Sequence, residues 1–309
     1  MAGKYTYDPL AVSQGLHSDS VDFDIRDSRR QRDIPVRMYV PQTDSPSPVV
    51  LFSHGLGGSR EGSSYLGKHW ASRGYFALFV QHPGSDDAVW KGKPKAEYRA
   101  LMRAAASVQN FLLRVQDIVA VLDALADRSQ NIPPISAARL DLKKVGISGH
   151  SFGAITSQWL SGQTTKDGEA NFADPRISAA LIMSPSRSRR STPKQAFGSV
   201  SLPWMLMTGT KDIAQIGQAT PDSRLAVFLA LPTGSKYELV FFGAHHYAFT
   251  DGVLRDGIEP RNPNHHEAIL ALSTAFWDTY LRADPKAREW LDGNGPRSVL
   301  ESRDRWQTK

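Results

Sequence analysis

Three side chains in this sequence could together carry out nucleophilic acyl chemistry: Ser151, Asp212 and His246. A serine hydroxyl is a weak nucleophile until a base takes its proton. An imidazole, with a pKa of about 6.5, accepts that proton at neutral pH and hands it to a leaving group. A carboxylate bonded to the other ring N–H fixes the tautomer and steadies the imidazolium. Ser151 is the centre of Gly149-His150-Ser151-Phe152-Gly153, a G-x-S-x-G set between a short apolar run and the start of a helical pattern. That context predicts a sharp strand-to-helix turn that lifts the serine Oγ clear of a sheet. Strand and helix then pass so close that Gly149 and Gly153 can carry no Cβ. Asp212 and His246 each follow an apolar run of their own, 202–208 and 237–242, and stand 34 positions apart, room for one helix and one strand.

The elements that must hold these groups read as follows. Residues 48–53 form a continuous apolar run, the pattern of a central parallel strand buried on both faces. His54-Gly55-Leu56-Gly57-Gly58-Ser59 follows at once. A helix is predicted over 64–73 and the next strand over 75–80. This strand–helix–strand rhythm predicts an α/β architecture with a mostly parallel, doubly wound sheet of about eight strands flanked by helices. In such a sheet the strand ends converge on one edge, so residues distant in sequence can meet there. Residues 21–26 and 34–40 alternate as strands, and the turn between them carries Arg29, Arg30 and Arg32, read as a solvated tip. Phe111, Val115, Ile118, Leu122 and Leu125 mark one face of a helix. Ile155 and Trp159 lie four apart on the helix after Ser151 and are expected to face the core. Further strands are expected over 177–183 and 237–242, and a closing helix over 267–281, its buried face marked by Ile269, Leu272, Phe276 and Tyr280. Segments 131–139 and 162–175 read as loops. Residues 86–110, with Trp90, are the least regular and are a candidate pocket wall or lid. The chain reads as one domain over 1–309, with a core of about 20–285 and a tail, 286–309, whose Trp290 and Trp306 pack back on the body.

Taken together, Ser-His-Gly-Leu-Gly-Gly (53–58), Gly-His-Ser-Phe-Gly (149–153) and Gly-Ala-His-His (243–246) resemble the platelet-activating-factor acetylhydrolase-like serine esterases. These are a branch of the α/β-hydrolase superfamily, related to dienelactone-hydrolase-like proteins and cutinase-like polyesterases. The resemblance implies an α/β-hydrolase fold and the triad order Ser, Asp, His. It implies an oxyanion hole made by the backbone N–H groups of Leu56 and Phe152, the second also at the positive end of a helix dipole. It further implies a serine carboxylic-ester hydrolase acting on short-to-medium acyl esters, lipid acetyl esters and aromatic polyesters being within the class. Two departures matter. Animal acetylhydrolases of this type place their acid after the earlier strand, where this chain reads Met-Ser-Pro-Ser with Ser184, so the acid is assigned to Asp212. Dienelactone hydrolases use a cysteine nucleophile, and this chain has no cysteine.

Other readings compete at several positions. His246 is preferred to His245 as the base, and His54 is expected to be structural beneath the 54–59 loop. Gly55, Trp90, His150, Ser184 and His245 are the candidates for substrate contact. Asp251 and Asp174 are weaker alternatives for the acid. The histidine pairs 245–246 and 265–266 fit no usual zinc spacing, so neither a metal nor a cofactor is expected. The glycines of 55–62 match no nucleotide-binding fingerprint. Arg187, Arg189 and Arg190 read as a solvated loop, the alternative being attraction of an anionic substrate head group. An idle α/β-hydrolase fold serving as a binding protein, or an amidase or perhydrolase using the same triad, are the rival functions. The 309 residues are 40% hydrophobic, enough for a large core, and the net charge of +6 is dispersed. The dispersed charge argues against a nucleic-acid partner, and the resemblance implies a small-molecule or polymeric ester instead. No apolar run is long enough to span a membrane. The first residues lack the apolar core of a leader, which reads as cytoplasmic, or secreted if a leader precedes them.

Overall fold

The computed structural model describes residues 7–12, 19–127, 139–166, 168, 170–188, 190–251 and 262–309. The expected loop at 131–138 and Arg189 lie outside the described residues. A nine-stranded sheet organises the rest, in the order β1-β2-β4-β3-β5-β6-β7-β8-β9. β1 (Asp19–Asp27) and β2 (Arg32–Val40) form an antiparallel hairpin at one end, and β2 joins β4 (Phe76–Val80) antiparallel. β4, β3 (Ser47–Ser53), β5 (Leu140–His150), β6 (Ile177–Met183), β7 (Trp204–Lys211) and β8 (Lys236–His245) run parallel. β9 (Arg305–Thr308) closes the far edge antiparallel to β8.

The strand order reverses at β3. The chain moves from β3 outward to β4, then back across β3 to β5. Right-handed crossovers therefore send the two connecting helices to opposite faces. One face packs α1 (Ser64–Ser72), α7 (Pro263–Leu281) and α8 (Pro285–Asp292), with Trp70, Phe79, Phe276 and Trp277 in its core. The other packs α3 (Val108–Ala126), α4 (Phe152–Leu160), α5 (Pro193–Phe197) and α6 (Pro221–Ala230), around Ile118, Leu122, Ile147 and Phe197. All seven residues of β3 are buried, as expected of a strand covered on both sides. The crevice above the ends of β3 and β5 is the switch point where ligands bind in open α/β sheets.

The expected mostly parallel sheet of about eight strands is found, with nine, and three other expectations need correction. The sheet has nine strands because the tail adds β9, whose Trp306 stacks on Tyr237 at 5.7 Å. Four residues alternating polar and apolar carry too little periodicity to be seen alone. Segment 86–110 is more regular than its sequence suggests: two single 3-10 turns, Asp87–Val89 and Lys95–Glu97, lead into α2 (Tyr98–Ala105). Ile155 and Trp159 do share a face of α4, but they line the cavity over Ser151 rather than enter the core. In the β1–β2 turn, Arg30 and Arg32 fold inward onto the buried carboxylate of Asp117, at 2.9 and 2.8 Å, rather than standing in solvent. A buried carboxylate demands charged partners, and the arginine stems cross apolar surface to supply them.

Candidate active site

Ser151 sits between β5 and α4 with φ 58 and ψ −111, a strained conformation for a residue bearing a Cβ. The strain persists because the surroundings leave no slack. A Cβ on Gly153 would run into the carbonyl of Ser53, and one on Gly149 into the carbonyl of Gly153. Both glycines are thus required by backbone approach.

The hydroxyl so presented meets the histidine at the end of β8. His246 Nε2 is 2.9 Å from Ser151 Oγ. Its Nδ1 is 2.6 Å from Asp212 Oδ1. With Nδ1–H donating to the carboxylate, Nε2 is left to accept the serine proton. Asp212, fully buried after β7, also accepts from Ser184 Oγ at 2.7 Å and Thr208 Oγ1 at 2.9 Å. Burial pushes its carboxyl up, but the hydrogen bond and charge of His246, the charge of Arg224 and the Ser184 hydrogen bond outweigh that and hold it below the usual carboxylate range.

Arg224 is a residue the sequence did not bring forward. It rises from α6, is buried, and its Nη2 lies 3.0 Å from Asp212 Oδ1. It also donates to the backbone carbonyls of Asp212, Ser184 and Pro185 at 3.0, 2.8 and 2.9 Å. One fork therefore ties the ends of β6 and β7 to the carboxylate between them.

Across the cleft, the Ser53–Ser59 loop stands on a second polar network. Arg114 of α3 is fully buried beneath it. The guanidinium donates to His54 O at 2.7 Å, Ser53 Oγ at 3.3 Å and Ser85 Oγ at 2.8 Å, and its carbon lies 4.5 Å from the ring centre of Phe152. His54 Nδ1–H donates to Gly55 O at 2.6 Å, and its Nε2 accepts from the backbone N–H of His82 at 3.1 Å. This is the structural role expected of His54. Ser53, His82 and Asp117 form a further Ser–His–Asp line, with contacts of 2.9 and 3.0 Å. All three are fully buried, so no substrate reaches this serine. Burial and the charge of Arg114 drive His82 down to about 4, so its imidazole is neutral. Asp117 is held at about 2: burial raises it, but the His82 hydrogen bond and Arg32 prevail.

The remaining candidates fall into place around this frame. Leu56 N–H has no hydrogen-bond partner among the described residues. Phe152 opens α4, where the first N–H groups lack partners within the helix. A cavity of about 2940 Å³ lies over Ser151 and includes Gly55, Leu56, Trp90, His150, Phe152, His245 and His246 in its lining. Trp90 Nε1–H donates to Gly57 O at 2.8 Å, so the 86–110 segment both walls the cavity and braces the loop. His150 donates from Nε2 to His246 O at 2.9 Å, and burial drives it down to about 3. Ser184 does not line the cavity, contrary to expectation: its hydroxyl is spent on Asp212. It follows β6, where the resemblance would put an acid, and supplies a donor to the acid instead. Asp251 accepts from the backbone N–H of Ser64 at 2.5 Å, and Asp174 pairs with Arg176, so neither reaches His246. The paired histidines diverge, His265 packing on Phe241 and His266 stacking on Tyr65 at 3.7 Å.

Sheet order and a strained serine at the β5–α4 turn define an α/β-hydrolase fold. Residues 34–102 match the family model described as platelet-activating factor acetylhydrolase, isoform II. The matched stretch runs from β2 through the Ser53–Ser59 loop into α2 and ends before Ser151. Match and fold together support the platelet-activating-factor acetylhydrolase-like α/β-hydrolase family for this chain, and the match implies a hydrolase of ester bonds.

Proposed function

We propose that this protein is a serine carboxylic-ester hydrolase working through an acyl-enzyme. Ser151 Oγ attacks the ester carbonyl while His246 Nε2 takes its proton. The oxyanion is received by the N–H groups of Leu56 and Phe152, each worth roughly 3–4 kcal/mol in holes of this kind. The tetrahedral adduct collapses, the ester C–O bond breaks, and His246 returns the proton to the departing alcohol. Water then attacks the acyl-enzyme, giving its proton to His246, and the acid leaves as Ser151 is reprotonated. Asp212 stays ionised throughout and holds the imidazole tautomer. The observation that carries this reading is the line Asp212–His246–Ser151, at 2.6 and 2.9 Å, opening on a large cavity.

Turnover of p-nitrophenyl acetate and butyrate by the protein and by Ser151→Ala tests the reading. Loss of about a thousandfold or more in the variant is expected. A variant that keeps the full rate overturns it. A protein with no turnover that also resists a fluorophosphonate probe is the idle binding fold instead.

A further inference from the structure

The cavity over Ser151 has an uneven charge. Its interior is apolar, with Trp90, Met102, Phe111, Phe152, Trp159 and Phe172 among the lining side chains. Among the described residues its charged lining is almost wholly cationic: Lys95, Arg99, Arg187, Arg190 and Arg224 against one carboxylate, Asp251. Arg224 is spent on Asp212, and Asp251 is taken by the N-terminus of α1. Lys95, Arg99, Arg187 and Arg190 remain, all exposed and without an ion pair among the described residues. Lys95 and Arg99 lie on the segment after β4, Arg187 and Arg190 on the loop after β6. β4 and β6 flank the β3–β5 pair that carries the Ser53–Ser59 loop and Ser151. Beside the main cavity, a recess of about 390 Å³ brings Arg99 and Arg103 against residues 215–218, which follow β7. α2 thus reaches toward the far side of the site with its arginines at the mouth.

The proposed hydrolase has no use for these charges in its chemistry. Nor do they stabilise the fold, since like charges gathered at a concave surface repel. A concave wall of low polarity focuses their field into the cavity. The space also exceeds the range of 300–1,000 Å³ usual for small-ligand pockets, so it admits a substrate with a long remote portion. Building on the hydrolase reading above, we propose that the preferred substrates are esters bearing an anionic group, carboxylate or phosphate, remote from the scissile bond, held by Lys95, Arg99, Arg187 and Arg190 at the cavity mouth. Guanidinium forks suit either anion. The apolar interior takes the chain between the anion and the ester.

Matched p-nitrophenyl esters test this: one with a plain alkyl acyl chain, and two of equal length ending in a carboxylate or a phosphonate. Leaving group and chemistry are shared, so the ratio of kcat/KM reports the remote group. At low salt at least one charged ester is expected to exceed the neutral one by about tenfold, the advantage shrinking as salt screens it. In Lys95→Glu/Arg99→Glu and in Arg187→Glu/Arg190→Glu that ratio is expected to fall by about tenfold. If the neutral ester is turned over through Ser151 while neither charged ester gains, or the ratio ignores both salt and charge reversal, the inference fails and the hydrolase reading stands. If no ester is turned over, the hydrolase reading fails and this inference falls with it.

Discussion

The guanidinium of Arg114 touches both sides of the cleft at once: it donates to the carbonyl of His54 at 2.7 Å and lies 4.5 Å from the ring centre of Phe152. The first contact fixes the loop that carries Leu56, the second the residue that follows Ser151. One buried cation therefore sets the spacing between the two N–H groups proposed to receive the oxyanion. Arg114→Met fills much of the same volume but donates nothing. The acceptors at Ser53, His54 and Ser85 lose their donor, a cost on the order of 3 kcal/mol in unfolding free energy. If the spacing matters for the transition state, kcat falls about tenfold or more while KM changes little. Urea unfolding and steady-state kinetics on the same preparation separate the two effects. A variant that loses stability but keeps kcat makes Arg114 a purely structural residue.

Acid should weaken the fold before it touches the triad carboxylate. His82 and His150 are neutral in the folded chain, at about 4 and about 3. Unfolding releases them to an ordinary value near 6.5. The unfolded chain therefore binds protons that the folded chain refuses, from pH 6.5 downward. Their contribution is complete above that pH and is lost as pH falls toward 4 and then 3, up to roughly 3 kcal/mol for His82 alone. Asp117, lowered from 3.8 to about 2, adds a second loss below pH 4. The thermal midpoint is expected to drop steadily between pH 6.5 and 4, and His82→Gln to show a shallower slope. A midpoint flat across that window contradicts the buried neutral imidazoles.

Among the described residues, Asp212 is the one carboxylate in reach of His246. Asp212→Asn keeps an oxygen for the Ser184 and Thr208 hydroxyls but cannot hold the imidazole in its working tautomer. By analogy with the serine protease triad, kcat is expected to fall by about 10⁴. Arg224 loses its counter-charge in the same variant, so stability should drop as well, by about 3–5 kcal/mol for a broken buried pair. Reading kcat at saturating ester on folded protein isolates the first effect. Full activity in Asp212→Asn would return the search for the acid to other carboxylates.

How much of this was legible beforehand depends on the kind of signal. Apolar runs are local, so β6 is bounded by the same residues, 177 and 183, in sequence and structure. Ser151, Asp212 and His246 could be brought together because each follows such a run, and parallel strand ends share an edge. Arg114 and Asp117 are hard to read from the sequence because charges between apolar residues resemble the wet side of a helix. Yet Arg114 lies four residues before Ile118 and Asp117 four before Val121, inside the buried arc of α3. Charges within an apolar stripe are a usable signal of a buried network. Helices α5, α6, α7 and α8 each begin with a capping residue followed by proline, at Thr192-Pro193, Thr220-Pro221, Asn262-Pro263 and Asp284-Pro285. That start signal was available and marks all four N-termini. The inward turn of Arg30 and Arg32 was not available, because only the fold brings Asp117 beneath them.

The acyl-enzyme itself offers the most direct test. Rapid mixing with a slowly deacylating ester, acid quench and peptide mass mapping should find one acyl group per chain, bonded to Ser151 and absent from Ser151→Ala. Steady turnover with no adduct at Ser151, or an adduct on another side chain, would contradict the account.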